Sequence, residues 1–444
     1  MFLFAHCTIG EIRLYFLSMG QVTATTSNTF RRIVVMVGIE RNYAREILRG
    51  VERYVAAKAT MPAVAQSVKW QLAVYSLADI VRSPIIRRRM RKWRPDGILA
   101  EINSPGLAQF CAGFKKPVIQ LMHPMADSGF PRVGLDDLAV GRQAAEYFLH
   151  KGYRNFAYCG LETLDHLYLP WLRWSKLRQE GFIQAINEFF KRLPETTATV
   201  ATVNIFPGVF SNTQSRRSKR NSDPESALAK WLGTLPLHTA VFCGCDYWAG
   251  FLLRAAADAH LPVPDHIAVL GVDDDVLFCQ LTDPPLSSIA TCDDRIGFRA
   301  AKILDAMLAG RAAQQEPELL MPSVVNERQS SENTVIMDAD VHAALDYIKK
   351  HAAEYLSVKT LMQHVSARRR TLEMKFQRIL GRSPAEEIHR VRLEHLKTLL
   401  GSGLSIGTIV QRMNYSSSQY LARAFRRDTG MSPTQYRRKI NRGV

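Results

Sequence analysis

Two stretches decide how this chain is read: LEMKFQRILGRSP at residues 372–384 and LARAFRRDTGMSP at residues 421–433. Leu372, Phe376, Gly381, Ser383 and Pro384 recur as Leu421, Phe425, Gly430, Ser432 and Pro433, every match offset by 49 residues. Leu and Phe four residues apart share one helix face. The Gly suits a left-handed C-cap, and Ser-Pro suits an N-cap followed by the first helical position. Each copy therefore predicts a helix, a stop and the start of a new helix, made twice.

Working outward, the flanking sequence is helical throughout. Val341, Ala344, Leu345 and Ile348 form one amphipathic stripe, and Leu361, Met362 and Val365 a short second one. A longer helix from Pro384 to about Leu400 joins the two copies, carrying Ile388, Val391, Leu399 and Leu400. Ile406, Ile409, Val410 and Met413 follow, with Ser405 as N-cap. In the second copy the turn is Met413-Asn414-Tyr415, and Asn tolerates left-handed geometry best among non-glycine residues. Short helix, tight turn, second helix is helix-turn-helix logic.

The second helices begin near Arg368 and Ser417. Their outer faces carry Arg368, Arg369, Arg370 and Met374 in the first copy, and Ser418, Gln419 and Arg423 in the second. Arg reads guanine bidentately and Gln reads adenine, whereas Lys375, Arg426 and Arg427 are placed for phosphates. The joining helix, roughly 25 Å long at 1.5 Å per residue, can set the two reading helices about one DNA turn, ~34 Å, apart. Charge agrees: residues 339–444 hold 20 Lys+Arg against 8 Asp+Glu, while the other 338 residues hold 38 against 33. A basic helical module on a nearly balanced body suggests a DNA- or RNA-binding module, and the helix-turn-helix pattern favours double-stranded DNA as partner.

The body alternates strand-like and helix-like patches. Ile33–Val37, Trp70–Tyr75, Gly97–Ala100, Pro117–Leu121, Asn155–Cys159, Ala201–Ile205, Ala240–Cys243 and Ile267–Val272 read as strands. Helical segments lie between them, including one from Tyr43 to Val55 and a very basic one around Arg87–Trp93. This predicts parallel sheets covered by helices. Residues 211–224 read as a polar surface loop. The domain division expected is an N-terminal extension at 1–30, which Met19 as an alternative start would shorten, a sensor at 31–328, a linker at 329–339 and a DNA-binding domain at 340–444.

Seven Cys without regular spacing make no disulfide framework, and Cys243 and Cys245 lack a second pair for zinc. Asp273, Asp274 and Asp275 are consecutive and cannot all converge on one ion. No stretch approaches 18 uninterrupted apolar residues, and no basic segment precedes the apolar start. No cofactor, no membrane partner and a cytoplasmic location are expected.

Residues 340–440 resemble the tandem helix-turn-helix domain of AraC/XylS-type transcription regulators, with most of the match in IVQRMNYSSSQYLARAFRRDTGMSPTQYR, residues 409–437. Where that family usually has Gly, this chain has Asn414 and Ser366. Where it often has an aromatic or basic residue, Arg370 and Met374 stand. The body resembles the LacI-type periplasmic-binding-protein fold over roughly residues 31–328. The motifs are D-D-x-x-x-G at Asp136–Gly141, R-x-x-G-F at Arg178–Phe182, P-x-x-I-A-V-x-G-V-D-D at Pro264–Asp274 and P-S-V-V-N-E-R at Pro322–Arg328.

The resemblance implies an α/β two-lobed periplasmic-binding-protein-like sensor closing over a small molecule, plus an all-α tandem helix-turn-helix domain. It implicates Asp136, Arg178 and Asp273 in ligand binding, then Trp174, Asp246 and Glu162, with Arg41, Asn42 and Tyr43 on the opposite wall. The combination, with Trp174 and Arg178 in W-x-x-x-R, is similar to xylose-operon regulators. It implies a monosaccharide effector, a homodimer and, for an activator, RNA polymerase as partner. Asp136 and Asp273 as mere turn caps remain an alternative at this stage. So does an α/β enzyme, or a non-sugar-binding protein, with a basic tail, although no G-x-S-x-G, Walker A, H-E-x-x-H or G-x-G-x-x-G occurs.

Overall fold

The computed structural model describes residues 30–59, 68–122, 128–160, 173–192, 203–206, 224–312, 316–332, 335, 338–402 and 404–441. The first lobe is built from β1 (Arg31–Val37), α1 (Asn42–Ala59), β2 (Trp70–Ser76), α2 (Leu77–Arg82), α3 (Pro84–Trp93), β3 (Gly97–Glu101), α4 (Pro105–Ala112), β4 (Val118–Leu121) and β5 (Arg132–Leu135). The chain then enters the second lobe through α5 (Asp137–His150), followed by β6 (Asn155–Cys159), α6 (Arg173–Lys191), β7 (Val203–Ile205) and α7 (Pro224–Leu232). That lobe continues with β8 (Thr239–Cys243), α8 (Asp246–Asp258), β9 (Ile267–Val272), α9 (Val276–Leu281) and β10 (Ser287–Ile289). Helix α10 (Asp293–Leu308) returns to the first lobe, and β11 (Glu318–Leu320) and β12 (Val325–Asn326) complete one sheet each.

The first sheet runs β11-β5-β4-β3-β1-β2 and is wholly parallel; the second runs β12-β10-β9-β8-β6-β7, with only β12 antiparallel. Central strands such as GILAE, TAVFC and IAVLGV are buried along their whole length. That is why they read as continuous apolar runs and not as alternations. Three crossings join the lobes, tied by Asp136 N–H to the Leu320 carbonyl at 2.9 Å and by a reciprocal pair between Ala290 and the 323–324 segment at 2.8 Å.

Glycines set how closely the crossing helices pack. A Cβ on Gly141 of α5 would lie 2.0 Å from the Arg178 carbonyl, and one on Gly181 of α6 would lie 2.1 Å from the Leu138 carbonyl. These are the glycines of the D-D-x-x-x-G and R-x-x-G-F motifs. The α1/α10 contact repeats the device through Gly50 and Gly297.

The segment expected to be a linker is held against the second lobe as far as Glu332. Ser330 Oγ donates to the Val269 carbonyl at 2.7 Å and accepts from Ser287 N–H at 2.8 Å. Arg328 pairs with Asp274 at 2.8 Å and donates to the Leu286 carbonyl at 2.8 Å. A polar run thus becomes buried, because its hydroxyls satisfy strand-end groups.

The C-terminal region is all helix: α11 (Ala339–Lys350), α12 (Val358–Leu361), α13 (Arg369–Leu380), α14 (Pro384–Gly401), α15 (Ile406–Arg412), α16 (Ser418–Thr429) and α17 (Pro433–Asn441). Two small cores form, one around Leu361, Leu372, Phe376 and Ile388, the other around Leu396, Ile409, Leu421 and Phe425. Helix α14 feeds both. Gly381 and Gly430 are left-handed C-caps at φ 66° and 74°. Ser383 and Glu386 form a capping box, and Ser432 and Gln435 exchange the same two bonds at 3.1 and 2.8 Å. Asn414 takes φ 51° in the predicted turn. Arg392 of α14 spans the two halves, donating to the Glu354 and Met413 carbonyls and lying 4.8 Å from the Tyr415 ring centre.

Candidate functional site

The polar groups of the cleft follow the C-terminal ends of parallel strands, where open α/β sheets place their ligands. Arg41, Asn42 and Tyr43 follow β1, Glu101 ends β3, and Asp273 follows β9. Asp137 opens the first crossing helix and Asp293 the second. A cavity of about 620 Å³ spans both lobes, bounded by Asn42, Arg45 and Arg49 on one side and Asp273, Thr291 and Asp293 on the other.

Arg178 is the centre of this arrangement. It is buried, its Nε donating to Asp137 Oδ1 at 2.9 Å and its Nη1 to the Gly244 carbonyl at 2.6 Å; Asp273 Oδ1 lies 3.9 Å away. Its guanidinium sits 4.7 Å from the Trp174 ring centre. Burial works against the charge, but Asp137 and Asp273 outweigh it and hold Arg178 above its ordinary value. The close α5/α6 crossing at Gly141 and Gly181 is what brings Asp137 within bonding distance of Arg178.

The carboxylates around it are pushed the other way. Burial raises Glu101 to about 7, although Gly38 N–H and the Tyr43 hydroxyl donate to it at 3.4 and 3.3 Å. Asp293 rises to about 8 by burial; Thr291 donates to one of its oxygens, and the other has no partner among the described residues. Asp273 reaches about 6 through desolvation, against the pull of Arg178 and Arg41. It also adopts φ 109°, a sparsely populated region for a residue with a Cβ. At neutral pH the cleft therefore offers both donors and acceptors. The buried Arg178 guanidinium is already balanced by Asp137 and Asp273, an arrangement suited to a neutral polyhydroxyl ligand.

The sequence-predicted ligand residues fare unequally. Arg178, Trp174, Asp273 and Tyr43 come together in the cleft. Asp136 does not join them: it caps α5, its Oδ1 accepting from Ala139 N–H at 3.0 Å, and its neighbour Asp137 faces Arg178 instead. Asp246 is bonded within the second lobe. It is buried and accepts from Ser288 Oγ at 2.6 Å, Asp275 N–H at 3.0 Å and Cys279 Sγ at 3.4 Å, so it fastens strand ends together. Glu162 lies outside the described residues. Of the acidic triplet, Asp275 caps α9 and Asp274 pairs with Arg328, leaving Asp273 to the cleft. No metal-binding cluster and no disulfide occur among the described residues. Sequence reasoning missed Asp137, Glu101 and Asp293; the available signal was their place directly at strand ends or crossing-helix starts.

In the C-terminal region α13 and α16 expose matching positions: Arg369 and Ser418, Arg370 and Gln419, Met374 and Arg423. Arg368 stands exposed just before α13 as its N-cap. Arg369 pairs with Glu373 at 2.9 Å, and Arg427 with Asp428 at 2.9 Å, both remaining exposed. Arg426 is exposed. The Lys375 Nζ is held by Asp338 at 3.0 Å and Asp340 at 2.5 Å, locking α13 to the start of α11. The 49-residue offset puts Lys375 opposite the inward-leaning Ala424, whereas Arg426 and Arg427 correspond to the exposed Gln377 and Arg378.

Comparison with known proteins agrees with both halves. Residues 145–331 match the periplasmic binding protein-like domain family, and residues 361–439 match a helix-turn-helix domain family. The chain is a transcription regulator that joins a periplasmic-binding-protein-like sensor to an AraC-type helix-turn-helix DNA-binding region.

It is similar over nearly its whole length to the xylose operon regulatory proteins of Haemophilus influenzae and Escherichia coli. Identities are 25% and 26%, covering 92% and 91% of this chain and 98% and 96% of theirs. Among solved structures, that of the xylose-binding transcription activator xylR superposes with a TM-score of 0.55 at 25% identity, covering 92% of this chain and 98% of that one. These relatives are regulators and not enzymes. No helix among the described residues is long and apolar enough to cross a membrane.

Proposed function

We propose that this protein is a pentose-responsive activator, with xylose as its first candidate effector, acting as a cytoplasmic homodimer that contacts RNA polymerase at a sugar-utilisation promoter. The observation that carries the ligand class is Arg178, buried against Trp174 between Asp137 and Asp273, the last of which lines the cavity between the lobes. A pyranose can accept from Arg178, donate to Asp137 and Asp273, and lay its apolar face on Trp174. Glu101 from the first lobe and Asp293 from the start of α10 add donors when protonated. Xylose itself comes from the relatives, whose names carry it over nearly the whole chain.

Sugar binding draws the lobes together, and the differential affinity for the closed state is what shifts the regulator. Arg370, Gln419 and Arg423 are then the base-reading candidates, with Arg368, Arg369, Met374 and Ser418 beside them and Arg426 and Arg427 on phosphates. Calorimetric titration of the full chain with xylose, arabinose, ribose and glucose tests the reading. Xylose should bind, and Arg178→Ala should abolish the heat. Absence of binding by every sugar removes the effector assignment while leaving the regulator class intact.

A further inference from the structure

One strongly charged surface has no part in either site. Residues 82–94 contain Arg82, Arg87, Arg88, Arg89, Arg91, Lys92 and Arg94 and no Asp or Glu. Without them, residues 1–338 would carry a formal net charge of −2, so this stretch supplies the whole positive excess of the sensor half. Helix α3 forms here because Ser83 Oγ accepts from Ile86 N–H at 3.4 Å and Pro84 opens the first turn. Met90 anchors it on the first-lobe core beside Ile80 and Val34.

Two of the cations have a packing role. Arg87 and Arg91 lie 5.6 and 5.1 Å from the Phe110 ring centre, and Arg87 donates to the Ile80 and Val81 carbonyls at 2.6 and 3.0 Å. The others do not. Ile85, Arg88, Arg89 and Lys92 are all exposed and, at i, i+3, i+4 and i+7, form one stripe. Arg94 ends the helix at φ 52° beside a hollow of about 800 Å³ lined by Arg32, Arg91 and Lys116. The one carboxylate in that lining, Asp96, already accepts the Arg32 N–H at 2.8 Å.

None of the seven cations is ion-paired among the described residues, whereas Lys375, Arg382, Arg390, Lys397 and Arg427 of the DNA-binding region all are. Like charges one helical turn apart repel, so the stripe is destabilising unless something anionic covers it. A second copy of the same helix across a two-fold axis would oppose cation to cation, which excludes self-pairing. The occupant is a polyanion, and the C-terminal domain brings one. Duplex held there is present at high effective concentration for any other cationic surface of the same molecule.

We propose that the exposed stripe of α3, Arg88, Arg89 and Lys92 with Arg82 and Arg94 at its ends, is a second DNA contact that binds phosphates flanking the site read by the C-terminal domain. The helix is about 15 Å long, a length of duplex that carries roughly nine phosphates. The contact is sequence-independent and strengthens attachment without altering which bases are read.

The test is fluorescence anisotropy of the full chain on a random-sequence duplex of about 60 bp, from about 50 to about 200 mM salt. Three variants are compared with the parent: R88S/R89S/K92S, R88K/R89K and R423S/R426S. The triple variant should flatten the log–log salt slope by up to about 2.7, so that it loses about 40-fold less affinity across that range. R88K/R89K should keep the parental slope, because charge and not guanidinium shape makes the contact.

If the triple variant matches the parent while R423S/R426S weakens binding, the α3 contact is overturned, an acidic protein surface becomes its remaining occupant, and DNA binding by the C-terminal domain stands. If only the triple variant weakens binding, the α3 contact stands and the assignment of Arg426 to a phosphate fails. Should the triple variant misfold, judged by its melting temperature, R88E alone serves; a slope equal to the parent's then refutes the proposal.

Discussion

Replacing Asp137 by Asn and, separately, Asp136 by Ala distinguishes two adjacent carboxylates that have unrelated tasks. Asp137 pairs with buried Arg178 at 2.9 Å, whereas Asp136 donates nothing to the cleft and caps α5 through Ala139 N–H. Breaking a buried pair from one side costs about 3–5 kcal/mol, because the remaining charge is left uncompensated. Here the Gly244 carbonyl at 2.6 Å and Asp273 at 3.9 Å still face the guanidinium. The expected cost of Asp137→Asn is therefore nearer ~2–3 kcal/mol. Loss of an Asp N-cap costs about 1 kcal/mol. Urea unfolding of each variant, followed by a thermal shift with sugar, measures both effects. Asp137→Asn should be the less stable and should lose most of the ligand-induced shift, since Arg178 is no longer oriented. Asp136→Ala should keep that shift. Equal stability losses, or a ligand response that survives in the Asp137 variant and vanishes in the Asp136 variant, would refute the assignment.

Four further outcomes are expected. Glu101 and Asp293 have folded-state values raised to about 7 and about 8. The folded protein thus holds protons that the unfolded chain releases, and ligand-free stability should fall as pH rises from about 4.5 to about 8. Glu101→Gln, measured by denaturant midpoint against pH, should flatten the lower part of that slope; an unchanged profile would contradict the burial argument. Gly181→Ala would place a Cβ 2.1 Å from the Leu138 carbonyl, so α5 and α6 must separate, at about 1–3 kcal/mol; calorimetry should show weakened sugar binding, and unaltered affinity would mean that the crossing does not position Arg178. Lys375→Ala should lower the melting temperature of the C-terminal domain and leave the salt slope of DNA binding unchanged. Arg426→Ala should reduce that slope by about 0.9 with little effect on melting.

Much of the molecule was legible in one dimension, for identifiable reasons. Parallel strands buried on both faces appear as apolar runs, so Asn155–Cys159 and Ile267–Val272 have the same limits in the sequence reading and in the structure. Short strands escaped: Ser287–Ile289 and Val325–Asn326 carry too few residues to show any period. The 329–339 stretch looked like a linker because it is polar, yet Ser330 spends its hydroxyl on the second lobe. In the cleft, Arg178 was legible through its motif, whereas Asp136 and Asp137 are indistinguishable as letters. A helix start turns successive side chains by about 100°, so only one of the two can face Arg178 while the other caps.

What the sequence determined by itself is local and periodic. The doubled L-x3-F-x4-G-x-S-P phrase dictates helix faces, left-handed stops and capped starts, each settled within a few residues of chain. It therefore defines two equivalent helix-turn-helix units before any fold is known. What only the tertiary structure decided is which side chains are spent on one another. Lys375 is held by Asp338 and Asp340, Asp246 closes strand ends, and Asp137 reaches Arg178 across a glycine-lined crossing. Partners 35 to 42 residues apart in the chain, as these are, leave no periodic trace, because their meeting depends on how closely helices and strands pack.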